Sequence, residues 1–190
     1  MVRFAGLLVV AGFAWIAAGG VRGAEVGGVK LEDKISLAGQ DLVLNGAGTR
    51  SRAIFKVYVA SLYVPQKTTD PAAALAKGPR RIQLNLLRTL SADQLTDALN
   101  EGLAEANSPA ELSAVRPQAD QLIGIMKAFK EVKEKDVVTL DFVDGATKVG
   151  WNGENKGSVA GEAFNRALTK IWIGDKPVQA DLKKALLGGS

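Results

Sequence analysis

The chain contains no cysteine and no histidine. Without cysteine there is no disulfide, no thiol nucleophile and no lipid attachment at an N-terminal cysteine, so the core must hold the fold unaided. Without histidine the Ser-His-Asp and Cys-His nucleophile systems are impossible, and the common zinc sites go with them. An excess of one charge is also missing. The net charge is +4 over 190 residues, too little to argue for a nucleic-acid partner. No long low-complexity tract suggests disorder, and 47% hydrophobic with 23% charged residues is the balance of a globular protein.

What is present begins with a leader. Arg3 precedes an apolar run from Phe4 to Ala18, followed by the small residues Gly19 and Gly20. Positive start, apolar middle and small-residue end form a secretory signal peptide, expected over residues 1–24. The run of about 15 residues is short against the roughly 20 that span a bilayer. An uncleaved N-terminal anchor is the alternative. Residues 25–190 remain as one domain, expected to be exported to the periplasm and to have no stable membrane span once the leader is removed.

The domain reads as α+β. Short strand-like runs lie at residues 29–31 and 35–38. A stronger strand over 41–44 is interrupted by Asn45-Gly46-Ala47-Gly48. Residues 52–64 (RAIFKVYVASLYV) are apolar on both alternating faces, which predicts one central strand covered on both sides. Asp70-Pro71 opens a helix to about Lys77, and residues 81–89 alternate as a further strand. Ser91 with Gln94, and Ser108 with Glu111, are capping boxes that start two helices. A helix is expected over 118–130 after Pro117, then a hairpin of 137–142 with 147–151. An amphipathic helix over 159–172 and a last one over 179–187, closed by Gly188, complete the chain. Strands and helices come in blocks without βαβ alternation.

Few residues suggest chemistry. Gly46-Ala47-Gly48 is followed by a strand where a phosphate loop needs a helix N-terminus, so it reads as a turn or bulge. Asp41, Asp141 and Asp144 do not supply the closely spaced oxygens that calcium prefers. No cofactor and no metal are expected. Tyr58 lies on a strongly apolar strand, where a buried phenol needs a partner, and Arg50 precedes that strand. A guanidinium fork and a phenol aimed at one cavity would hold a carboxylate or a polarised carbonyl. From pattern alone the stronger reading is an ordinary core tyrosine and a loop arginine, since buried tyrosines usually find a structural partner. Arg88, in an apolar strand, is open between a ligand contact and a salt bridge to the following helix.

Residues 44–50 (LNGAGTR), 55–64 (FKVYVASLYV), 82–94 (IQLNLLRTLSADQ), 163–177 (AFNRALTKIWIGDKP) and 182–188 (LKKALLG) together resemble the chalcone isomerase-like family, in the family's order. The resemblance implies an open-faced β-sandwich: a long antiparallel sheet, a layer of helices on it, and a ligand cleft between them. It implies that Arg50 stands where the plant enzymes carry the arginine that polarises the chalcone. Tyr58 stands where they carry a threonine, and fatty-acid-binding relatives use an arginine and a tyrosine at this pair to grip the lipid carboxylate. The enzymes' catalytic tyrosine falls at Leu95, their asparagine near Gly102 and a late serine or threonine at Asn165. Arg80 stands near the place of their lysine. Losing the tyrosine and the asparagine removes the network that orders a chalcone.

One geometric condition follows. Arg50 and Tyr58 are eight residues apart, about 26 Å along a single strand. They share a site only if a hairpin folds between them, centred near Ile54, or if their long side chains span a register offset.

The expected function is non-enzymatic binding of a small amphiphilic ligand, a fatty acid or similar carboxylate, by Arg50, Tyr58, Arg88 and Asn165. One alternative is an isomerase or lyase in which Arg50 polarises a carbonyl and Tyr58 donates a proton. The other is a scaffold or partner-binding protein whose cleft is filled by side chains. The oligomeric state is left open.

Overall fold

The computed structural model describes residues 23–189. The signal peptide expected over 1–24 lies almost entirely outside them.

Seven antiparallel strands form the main sheet. In chain order the elements begin with a small ribbon, β1 (Glu25–Val26) and β2 (Val29–Lys30). β3 (Lys34–Leu37), β4 (Gln40–Arg52) and β5 (Phe55–Val64) follow, then a single helical turn, α1 (Pro71–Ala74), and β6 (Arg80–Leu86). β7 (Leu90–Ser91) leads into α2 (Ala92–Ala106), α3 (Pro109–Ala114) and α4 (Arg116–Lys127). β8 (Glu131–Val132), β9 (Val137–Val143), β10 (Ala146–Trp151) and β11 (Glu154–Ala160) come next. α5 (Glu162–Ile173) and α6 (Ala180–Leu186) end the chain. The sheet order is β11-β10-β9-β6-β5-β4-β3, with β7 and β8 paired separately.

Helices cover one face. α6 lies on β4, α4 on β11 and α5 on β10, whereas the main neighbours of α2 are α4 and α5. Leu62, Ile82, Leu168 and Ile173 are fully buried in that layer. On the opposite face, Val59 and Tyr63 of β5 pack with Leu31, Leu37, Leu42 and Leu44. The N-terminal segment therefore gives β5 its second cover, as its two-faced apolarity predicted. Among the described residues no helix is long and apolar enough to cross a membrane.

Two expectations of strand layout are corrected. Residues 52–64 are not one strand: the chain turns at Ala53-Ile54, with Ala53 in the left-handed region at φ 53°. The strand before it is not interrupted at 45–48. β4 runs through, and its register skips at Asn45, from Leu44 opposite Tyr63 to Gly46 opposite Leu62. That bulge turns Asn45 inward, where Nδ2 donates to Leu186 O at 2.7 Å and to Thr68 O at 3.0 Å. Gly46 and Gly48 are needed for close approach. A Cβ on Gly46 would lie 2.0 Å from Ala185 O, and one on Gly48 would lie 2.9 Å from Ala185 Cβ.

β11 was not foreseen either. Its sequence, ENKGSVA, is polar because it is an edge strand, largely exposed. Asn152-Gly153 before it has positive φ at both residues, the geometry of a tight hairpin turn. The helix expected from 159 accordingly starts at Glu162. The helix expected over 70–77 is only Pro71–Ala74, ending ahead of Gly78-Pro79. Both capping boxes form: Gln94 N donates to Ser91 Oγ at 3.2 Å, and Glu111 N to Ser108 Oγ at 3.3 Å.

Candidate functional site

The turn at Ala53-Ile54 decides the geometry of the site. It folds β4 back on β5 so that Arg50 and Tyr58 become direct cross-strand partners. A second bulge follows at once, since Ser51 pairs with Lys56 and Val57 is left over.

Both residues line a cavity of about 630 Å³, within the range of small-molecule sites. Its sheet wall carries Leu84, Leu86, Val138, Leu140 and Val149. Its helical wall carries Leu95, Leu99 and Gly102 of α2, Leu122 and Met126 of α4, and Ile171 and Trp172 of α5. The space exists because α2 packs on α4 and α5 and so stands off the sheet. A cleft filled by side chains, one of the expected alternatives, is thereby overturned.

Polar groups are few in this apolar chamber. The Tyr58 hydroxyl accepts from Trp172 Nε1 at 3.1 Å, which leaves its own hydrogen to donate. Arg50 Nη1 donates to Ser51 O and, at 3.3 Å, to Gln179 Oε1. Its Nε and Nη2 make no well-aligned hydrogen bond among the described residues, and the guanidinium stands beside the Tyr58 hydroxyl. Gln179 holds the strand around Arg50 from both sides, accepting from Ser51 N at 3.0 Å and donating to Thr49 O at 3.3 Å. Burial pushes the Tyr58 phenol above its ordinary value, against the opposing Trp172 hydrogen bond and the Arg50 charge. At neutral pH it is a hydrogen-bond donor with no charge of its own.

Arg88 also borders the cavity. Its guanidinium lies 5.0 Å from the centre of the Phe55 ring, and among the described residues it makes no ion pair with the following helix. Asn165 is not brought to this cavity. It is buried between α5 and β10, where its Oδ1 accepts from the Thr147 hydroxyl. Arg80 is elsewhere too. Buried beside a smaller cavity of about 430 Å³, it donates to Ala76 O at 3.0 Å and to Thr169 Oγ1 at 3.3 Å and lies over Phe142. Burial and, after it, the nearby Arg166 charge draw its pKa down to about 10.

Trp172 and Gln179 are the residues that sequence reasoning missed. Trp172 sits next to Ile171 on the buried side of α5, and an indole N–H in such a place needs an acceptor. That need was visible; the identity of the acceptor was not. Gln179 carries no comparable signal.

The family profile described as chalcone isomerase-like matches residues 23–188. The chain belongs to that family. The crystal structure of an Arabidopsis thaliana fatty-acid binding protein is similar to this chalcone isomerase-like domain with a TM-score of 0.68. The two are 15% identical, and the match covers 84% of this chain and 92% of the other, a likeness of fold. No curated protein matches by sequence. Leu95 and Gly102, at or near which the resemblance places the enzymes' tyrosine and asparagine, both line the cavity. An asparagine could not replace Gly102 without repacking, because a Cβ there would lie 2.9 Å from Ile171 Cγ2.

Proposed function

We propose that this protein binds a fatty acid, or a similar single-chain carboxylate, without transforming it. The observation that carries the reading is the placing of the spare donors. The free side of the Arg50 guanidinium and the free Tyr58 hydroxyl hydrogen border a chamber whose inner walls are hydrocarbon. A carboxylate would take charge-assisted hydrogen bonds from both, and the chain would lie against Leu84, Leu140 and Val149. Each buried CH₂ would add about 0.8 kcal/mol, so a long tail supplies most of the affinity. The similar plant protein is a fatty-acid binding protein, which supports the same ligand class.

The isomerase reading has less support. Arg50 and Tyr58 could polarise a carbonyl, but the chain has no histidine, and the cavity's carboxylates, Asp97, Glu101 and Glu105, sit on its exposed rim. Among the described residues no base stands opposite the donors. Export to the periplasm belongs to the same proposal, and peptide mapping of a periplasmic extract tests it.

The test of function is native mass spectrometry of protein purified without delipidation. Wild type carries added mass equal to a fatty acid, and Arg50→Ala loses it. A protein that emerges empty and ignores added oleate overturns the reading.

A further inference from the structure

Among the described residues, two large apolar side chains are exposed, Ile54 at 89% and Phe55 at 55%. They are consecutive, and they form the tip of the β4–β5 hairpin. A single apolar side chain in water is ordinary, but here two stand together at one exposed tip beside a cavity mouth.

The same tip stands at the mouth of the cavity. Among the exposed residues that border the chamber are Arg52, Phe55 and Arg88 on the hairpin side and Asp97, Glu101 and Glu105 on α2. The opening therefore lies between the hairpin end and α2. Around the apolar tip stand three cations, Arg52, Lys56 and Arg88, the last stacked on Phe55. The acids belong to the opposite rim, and one exposed pair, Arg52 with Glu101 at 3.6 Å, crosses between them. The two rims thus differ in character, one apolar and basic, the other acidic.

We propose that the Ile54-Phe55 tip docks on an anionic bilayer surface and holds the cavity mouth against it. The inference rests on the binding reading above and adds the source of the ligand. Apolar side chains that enter the headgroup boundary, flanked by cations that meet lipid phosphates, are the usual means of attachment to such a surface. The acidic rim would be repelled by it, which turns the hairpin and not α2 toward the lipid. A protein partner fits less well: a stable interface takes about 800 Å² from each side, and two side chains on a two-residue turn do not present it. Single-chain carboxylates partition into bilayers, so a mouth pressed there meets its ligand at high local concentration.

The experiment is flotation with vesicles of phosphatidylcholine alone or with about one-third phosphatidylglycerol, the fraction being set by the surface potential needed. Wild type, Ile54→Ser and Lys56→Gln are compared. Neither substituted residue borders the cavity, and both are exposed, so folding and oleate affinity in solution are expected to be unchanged. All three proteins share whatever N-terminus the preparation carries, so their differences report the tip. Wild type is expected to float with the anionic vesicles. Ile54→Ser is expected to partition about tenfold more weakly, and Lys56→Gln about fivefold more weakly on anionic vesicles only. Equal flotation of all three, or no flotation of wild type, overturns the proposal. So does a wild-type dimer in sedimentation that Ile54→Ser dissolves, which would make a second copy the occupant. If oleate fails to bind while flotation still depends on Ile54, docking stands and the binding reading falls.

Discussion

Trp172 Nε1 donates to the Tyr58 hydroxyl at 3.1 Å, joining α5 to β5 across the wall of the cavity. The bond has a direction with consequences. Because the indole can only donate, the phenol must accept from it and must send its own hydrogen elsewhere. Among the described residues no protein acceptor receives that hydrogen, so under the binding reading it is the donor a carboxylate would meet.

Tyr58→Phe should therefore weaken fatty-acid binding more than it weakens the fold. A hydrogen bond to a carboxylate contributes about 1.5–3 kcal/mol, so the loss should be on the order of ten- to a hundredfold in Kd. Trp172→Phe leaves the phenol able to donate and should cost binding less, about tenfold at most. Isothermal titration with oleate, beside urea unfolding of each variant, separates the two effects. Equal losses for the two variants would mean that the Tyr58 hydroxyl does not meet the carboxylate.

Affinity should also depend on chain length in a stepwise way. With about 0.8 kcal/mol per buried CH₂, each added methylene should tighten binding about fourfold. The gain should stop when the roughly 630 Å³ chamber is full. A series of saturated acids measured under one condition tests this. Affinity independent of chain length would place the ligand outside the hydrocarbon chamber.

The two tyrosines offer a pH test. Burial raises the Tyr58 phenol, opposed by the Trp172 hydrogen bond and the Arg50 charge, and burial also raises Tyr63. These are the only tyrosines in the chain. Each folded-state value lies above the ordinary 10.0, so the folded protein holds both protons more tightly than the unfolded chain. Their contribution to stability is complete below pH 10 and is lost as the pH rises through the folded values. Ultraviolet difference titration should show little tyrosinate in the native protein at about pH 10, and the urea midpoint should fall above it. Half-ionised tyrosines in native protein at that pH would mean that both rings are well solvated.

Much of this arrangement was legible in the chain, for identifiable reasons. The capping boxes at Ser91 and Ser108 are local chemistry and form as read. The two-faced apolarity read over residues 52–64 reports a strand with cover on both sides, and from Val59 to Val64 it has that cover. The turn at Ala53-Ile54 was hidden because neither residue is a turn former: alanine adopts the left-handed region at a cost, and isoleucine is β-branched. Only the need to bring Arg50 to Tyr58 pointed to it. β11 was hidden by its polarity, although Asn152-Gly153 was a hairpin signal in plain view. Arg50 and Tyr58 carry chemistry that residue type announces, whereas Gln179 acts through three bonds that exist only after α6 has docked. Asn165 shows the converse, a polar residue at a suggestive position whose partner, Thr147, is structural.

The docking of α6 supplies the last prediction. Its C-terminal turn rests on the backbone of β4 so closely that a Cβ at Gly46 would stand 2.0 Å from Ala185 O and 2.9 Å from Leu186 O. Backbone cannot yield as a flexible side chain can, so Gly46→Ala must push α6 outward. Overpacking of this kind costs about 1–3 kcal/mol. The displacement should also reach the ligand. Gln179 stands at the N-cap position of α6 and holds Ser51 N and Thr49 O on either side of Arg50, so moving the helix loosens the guanidinium. Gly124→Ala is the control. That glycine is exposed within α4 with nothing within 4 Å of an added Cβ, and the substitution should stabilise by up to about 1 kcal/mol. Urea unfolding and oleate titration of both variants give the answer. Gly46→Ala should lose stability and affinity together while Gly124→Ala loses neither, and a Gly46→Ala protein that unfolds and binds like wild type would show that α6 does not position Arg50.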